Sequence, residues 1–131
     1  MTSLRRMDTV LPVVDMKRAR RFYHDTLGLD EVDVPEEAFS EENAYFQAGD
    51  CTRVLLYKRS ERTKAEHTEA MFTVDDLDKA VDDLTARGVR FEQYDLPGIK
   101  TDRRGIARQD GMRGAWFKDT EGNILGIGEL Y

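Results

Sequence analysis

Hydrophobic and polar positions along this chain change period in an order that is given twice. From Thr9 to Val14 they alternate, with Thr9, Leu11 and Val13 on one face and Val10, Pro12 and Val14 on the other, which predicts a strand. Pro12 cannot donate a ladder hydrogen bond, so that strand belongs at an edge or has an unpaired side there. Met16, Ala19, Phe22, Tyr23 and Thr26 then recur at helical spacing, with Asp15 placed as N-cap and Gly28 as the stop. A short strand is expected near Leu29 to Val34, then an acidic loop from Glu36 to Glu42. Ala44 to Gln47 and Thr52 to Lys58 read as strands joined by the turn Ala48-Gly49-Asp50. The polar stretch from Arg59 to Glu66 has no apolar periodicity and reads as the boundary between two halves.

The second half starts again with Glu69 to Val74, where Ala70, Phe72 and Val74 face one way. Asp76 is the matching N-cap, Leu77, Ala80, Val81 and Leu84 draw a helical stripe, and Gly88 ends it. Val89 to Tyr94 is expected to return as a strand. Leu96 to Gly111 reads as a long loop, and Gly114 to Lys118 and Ile124 to Ile127 as the last two strands around Asp119-Thr120-Glu121-Gly122-Asn123. Two segments carry the repeat most plainly. Val13-Val14-Asp15-Met16-Lys17-Arg18-Ala19 is answered by Val74-Asp75-Asp76-Leu77-Asp78-Lys79-Ala80, and Leu27-Gly28-Leu29 by Arg87-Gly88-Val89. The order is strand, helix and three strands, twice: an α+β fold of two tandem βαβββ modules in a single domain over residues 1–131, module one about 6–60 and module two about 66–131.

Composition narrows the partners. A chain of 131 residues, 40% hydrophobic and 35% charged, is ordinary for one well-hydrated domain with a real core. Its formal net charge of −6 argues against nucleic acid, which needs a positive face. The basic clusters Arg18-Ala19-Arg20-Arg21 and Arg103-Arg104 are short and read as a solvated helix face and a mobile loop. No apolar run reaches a membrane span and none at the N-terminus reads as a signal peptide. With Cys51 the single cysteine, no intramolecular disulfide is possible, and a cytoplasmic location is expected. Gly122, Gly126 and Gly128 lack the strand-to-helix context of a phosphate loop.

Several of these segments together resemble the vicinal oxygen chelate superfamily, which includes glyoxalase I, extradiol dioxygenases, and bleomycin- and fosfomycin-resistance proteins. They are Leu11-Pro12-Val13-Val14-Asp15, Phe22-Tyr23 with Leu27-Gly28-Leu29, Val74-Asp75-Asp76-Leu77, Arg87-Gly88-Val89, and Trp116-Phe117-Lys118-Asp119-Thr120-Glu121-Gly122-Asn123. The resemblance implies that the two modules form a curved mixed sheet around a shared cleft, usually completed by a homodimer. Alternation assigns Leu11, Val13, Val54, Leu56, Phe72, Val74, Leu125 and Ile127 to the helix-facing side. It assigns Asp8, Val10, Pro12, Arg53, Leu55, Tyr57, Glu69, Met71, Thr73 and Gly126 to the side toward the cleft, and Trp116 joins them as a residue suited to stacking or to the core.

Metal-dependent members of the superfamily hold a divalent cation with His, Glu or Gln on the first and last strands of each module. The resemblance carries those positions onto Asp8, Leu55 (or Tyr57 in another register), Glu69 and Gly126. Leu55 and Gly126 have no side-chain donor, so no cofactor is expected. A degenerate metal group would have to come from Asp8, His67 and Glu69. His24 reads as a solvent-facing helix residue, and Cys51 has no neighbour that would activate it. Three readings follow: a metal-free protein that binds a small-molecule ligand, a lyase, isomerase or dioxygenase with a degenerate metal site, and a dimeric interaction or regulatory module. The loop from Leu96 to Gly111 is long enough to act as a lid or to be a plain excursion.

Overall fold

The computed structural model describes residues 2–33 and 42–130. Val34 and most of the expected acidic loop, residues 36–41, lie outside the described residues. The chain forms two compact units that divide between Arg62 and Thr63, inside the polar connection. Each unit carries a four-stranded mixed sheet, and the fold is α+β.

In the first unit, β1 (Thr9–Val13) lies at the sheet edge, parallel to β4 (Thr52–Lys58). β4 is followed by β3 (Asn43–Ala48) and β2 (Asp30–Val32), all antiparallel. The edge position leaves Pro12 without a missing ladder partner on its open side. Helix α1 (Met16–Arg21) starts where the Asp15 carboxylate accepts the Arg18 backbone N–H at 3.0 Å. It runs into a π-helical turn, Phe22–Thr26, closed by the Leu27 N–H on the Phe22 carbonyl. That wider turn keeps Tyr23 fully buried, edge-on to Phe22 and tilted on Phe46 at 5.9 Å. Leu11, Val13, Val54 and Leu56 are buried with them, as the alternation requires.

The second unit has the same topology. β5 (Ala70–Thr73) lies parallel to β10 (Ile124–Leu130), which pairs antiparallel with β9 (Met112–Lys118), and β9 with β8 (Ile106–Gln109). Helix α2 (Leu77–Ala86) is capped by Asp76, whose carboxylate accepts the Lys79 N–H at 3.0 Å. Its stripe of Leu77, Val81 and Leu84 is buried, along with Phe117, Leu125 and Ile127 from the sheet. Each large apolar side chain so buried contributes about 1.5–3 kcal/mol. Phe72 and Val74 remain half-buried.

Two expectations need correction. Val89 to Tyr94 forms no regular strand: it meets β9 through an isolated bridge between Phe91 and Phe117 and through the Glu92 N–H on the Trp116 carbonyl. The outer strand of this sheet is β8, within the segment expected to be a long loop. Residues 96–111 in fact belong to two hairpins that run from Asp95 into β9, the first pairing β6 (Asp95–Leu96) with β7 (Ile99–Lys100) around Pro97-Gly98. The second turns through Asp110 (φ 47°) and Gly111 (φ 78°). Two successive positive φ values are what a tight two-residue hairpin demands, and Asp-Gly supplies them at low cost.

Candidate functional site

The pairing register decides which side chains share a face. In the second sheet Gly126 stands opposite Met71 on one side and Trp116 on the other, while Gly128 stands opposite Thr73 and Gly114. Ala107 pairs with Gly114 and Gln109 with Met112. All of these therefore lie on the face away from α2. Its middle is a floor of glycines, Gly114, Gly126 and Gly128.

Side chains from the neighbouring strands lie across that floor. A Cβ built on Gly126 would meet Met71 Cε at 2.7 Å, Met71 Sδ at 2.8 Å and Trp116 Cδ1 at 3.1 Å. On Gly128 it would meet Met71 Sδ at 3.6 Å and Met112 Cε at 3.8 Å, and on Gly114 the Trp116 ring at 3.4 Å. The missing side chains thus make room for a thioether and an indole lying nearly flat on the sheet. Trp116 is also held edge-on by Tyr94 at 5.9 Å. Burial, and secondarily the Glu92 charge, push the Tyr94 phenol up, so it is a neutral hydroxyl at ordinary pH.

Beside the indole is an open recess of about 260 Å³, lined by Ile99, Ala107, Gln109, Asp110, Met112, Gly114 and Trp116. Its lining combines apolar and aromatic groups with the polar side chains of Gln109 and Asp110. Met71 and Met112 stay 44% and 39% exposed, which leaves polarizable, adaptable surface beside it.

The first sheet also has an open face. Val10, 50% exposed, pairs with Leu55, and Pro12 with Tyr57; Leu55 and Tyr57 in turn face Tyr45 and Asn43. Arg53 is committed on this face: it lies over the Tyr45 ring at 4.5 Å and pairs with Asp8 at 3.2 Å. Asp8 also pairs with Arg6 at 3.2 Å. Tyr57 accepts a long contact from Arg59.

Each residue at a position where the resemblance implies a metal ligand has a different occupation. Leu55 presents hydrocarbon. Asp8 faces two guanidinium groups, which compete with any cation. Glu69 accepts the Ile124 N–H at 3.2 Å and ties the start of β10 to β5. Gly126 lies under the Met71 thioether. Two of the four have no side-chain donor and the two carboxylates are already engaged, so together they do not make the donor set that a divalent ion needs. Among the described residues no three His, Cys, Asp or Glu side chains gather to hold a metal ion. His67 is exposed. His24 is exposed too, and its hydrogen bond to Asp25 at 2.7 Å raises its pKa. Cys51 is exposed in the hairpin turn.

Alternation put Met71, Thr73 and Gly126 on the open face, and the register joins Trp116 to them. Tyr94, Ile99, Ala107, Met112, Gly114 and Gly128 had not been singled out. The Asp110-Gly111 pair was the available signal, because a two-residue turn there fixes β8 against β9 and places Ala107 and Gln109 beside Met112 and Gly114.

A duplicated strand–helix–sheet unit with one face of each sheet left open is the architecture of a small-molecule-handling superfamily. Residues 6–127 match the Glyoxalase/Bleomycin resistance protein/Dioxygenase superfamily, and the chain belongs to that family. Among solved structures it is similar to a member of that superfamily from Sphaerobacter thermophilus DSM 20745, with 24% identity, TM-score 0.70, and 97% of this chain and 98% of that one covered. It is also similar to TnmS3, an antibiotic binding protein from Streptomyces sp. CB03234, at 21% identity and TM-score 0.62 over 100% and 99% of the two chains. A third is lactoylglutathione lyase from Agrobacterium tumefaciens, at 21% identity and TM-score 0.66 over 98% and 95%. No curated protein matches the chain. No helix among the described residues is long and apolar enough to cross a membrane.

Proposed function

We propose that this chain is a metal-independent binding protein for a small organic molecule, and that its ligand stacks on the open face of the second sheet at Trp116. The observation that carries the reading is the glycine floor. Where a metal-dependent relative would present a carboxylate, Gly126 supports Met71 and Trp116 instead, and the surface is suited to a flat apolar body rather than to an ion. Gln109, Asp110 and the Tyr94 hydroxyl would orient polar substituents. Thr73 extends the same face, and within the first unit Val10, Pro12, Leu55 and Tyr57 share an open face of their own. An antibiotic-binding protein of the same fold makes the reading reasonable, whereas the lyase of that fold keeps the enzymatic alternative in the test. We take the protein to act in the cytoplasm as a homodimer, for which light scattering after size exclusion is the check; a monomer at micromolar concentration counts against it.

Trp116 is the only tryptophan, so intrinsic fluorescence reports directly on the recess. A panel of planar aromatic antibiotics and of thiol conjugates is screened by thermal shift, and hits are titrated by fluorescence. The expected result is saturable quenching and a raised Tm, with the Tm gain lost in Trp116→Ala. Stoichiometric, tight binding of nickel, zinc, manganese or iron that disappears in Glu69→Ala would overturn the metal-independent reading.

A further inference from the structure

On the helix-bearing side of the second unit, away from Trp116, lies another recess, of about 280 Å³, between α2 and the segments 89–93 and 103–104. Its floor is apolar. Val81 and Val89 are 2% and 6% exposed, and the Phe91 ring is held edge-on against Phe117 at 5.6 Å. Thr85, Gln93 and Arg103 add polar groups to the lining.

The wall on the 101–105 side is built in advance. Arg104 reaches across to α2, donating to the carboxylates of Asp78 at 2.6 Å and Asp82 at 2.8 Å and to the Asp78 carbonyl at 3.0 Å. The Asp102 carboxylate accepts the N–H groups of Arg104 and Ile106. Gly105 packs so closely on Phe91 that a Cβ there would lie 2.6 Å from the Phe91 Cβ. Gln93 donates to the Arg103 carbonyl at 3.2 Å, which fixes the backbone of the next residue along. The expected mobile loop is therefore a strap.

Charges around the recess are unequally spent. The Arg104 guanidinium is shared between the Asp82 and Asp78 carboxylates and is fully engaged. Arg103, which also lines the recess, makes no ion pair among the described residues, so its guanidinium is uncommitted. We propose that this recess is a second ligand site, taking a small carboxylate with a hydrocarbon body, whose chain lies on Val81, Val89 and Phe91 and whose carboxylate meets Arg103. The Thr85 hydroxyl and Gln93 amide are within the same lining and supply uncharged donors. Because the wall is preformed, the ligand does not have to order it.

The test uses the whole 131-residue chain and three probes of one length: octanoate, octanol and octylamine. Amide resonances of the isotopically labelled protein are followed during each titration. Octanoate is expected to shift residues 85, 89 and 93 saturably and to bind roughly 1.5- to fivefold more tightly than octanol, the range for one exposed charge pair. Arg103→Gln should erase that preference, and Thr85→Trp, which fills the recess from an exposed helix position, should abolish binding of both. Octylamine binding better than octanoate, shifts centred on Trp116 instead, or an unchanged preference in Arg103→Gln would each overturn the proposal. Trp116 fluorescence is recorded in parallel, so failure here is distinguishable from failure of the site on the opposite face.

Discussion

Gly98 and Gly105 offer a matched pair that separates backbone conformation from packing. Their φ angles are +88° and +89°, in the region that L side chains avoid, so replacing either by alanine carries a similar conformational cost of roughly 1–2 kcal/mol. Their surroundings differ. A Cβ at Gly98 has nothing within 4 Å, whereas at Gly105 it would sit 2.6 Å from the Phe91 Cβ and 3.2 Å from the Glu92 carbonyl oxygen. Neither neighbour yields easily: one is the stem of a ring packed on Phe117, the other is backbone whose N–H is bonded to the Trp116 carbonyl at 2.7 Å. Overpacking of that kind costs about 1–3 kcal/mol. Gly98→Ala should therefore destabilise by about 1–2 kcal/mol and Gly105→Ala by about 2–5 kcal/mol, out of a total typically about 5–15 kcal/mol. Urea unfolding followed by Trp116 fluorescence and far-UV circular dichroism measures both. With a slope of roughly 1–3 kcal/mol per molar, the two midpoints should be separated by about 1 M. Phe91→Leu keeps the Cβ and should not rescue Gly105→Ala. Midpoints that coincide, or a Gly98 variant weaker than the Gly105 one, would refute the packing argument.

Two further outcomes follow from the charges of the second unit. Asp76→Ala removes the acceptor for the Lys79 N–H and should cost about 1 kcal/mol, read from the urea midpoint, whereas Asp76→Ser should recover most of it. Hydrogen bonding from Arg113 and then Arg104 holds the Asp78 carboxyl below its usual value, and the Leu77 N–H followed by Arg113 does the same for Glu129. Folded carboxylates that bind protons less readily than unfolded ones add stability above the unfolded pKa, roughly 4, and lose it as pH falls through the lower folded values. The urea midpoint of the native protein should thus fall steeply between about pH 5 and pH 2, and less steeply in Glu129→Gln. Equal slopes would mean that Glu129 is not linked to folding.

How far this fold was legible depended on whether the signal was local. Caps were local: Asp15 and Asp76 each bind the N–H three residues ahead, and reading the pair needed only the Asp before an apolar stripe. Alternation was nearly as good, since it separated Leu11, Val13, Val54 and Leu56 from Val10, Pro12 and Leu55 without knowledge of any partner strand. Residues 89–111 failed the same method. Val89, Phe91 and Tyr94 have the composition of a strand, yet Gly105 packs against Phe91, and β9 spends its outer edge mainly on β8. Which of two segments wins an edge is settled by packing across the unit, and no periodicity within either segment encodes it.

The candidate site lies between those cases. Alternation placed Gly126 on the open face, but a glycine says only that a side chain is missing. What occupies the space is fixed by register: β5 lies parallel to β10 with Met71 opposite Gly126, and β9 lies antiparallel with Trp116 opposite it. A slip of one residue in either strand would turn the thioether or the indole to the helix side and leave the floor bare. The Glu69 carboxylate on the Ile124 N–H, together with the Glu69 N–H on the Ile124 carbonyl, pins that register at the end of the strand pair. Glu69 thus matters to the surface around Trp116 through strand alignment, four residues before Thr73 on the same face. Its replacement by glutamine, which keeps an acceptor at that point, should preserve the Trp116 environment that alanine disturbs.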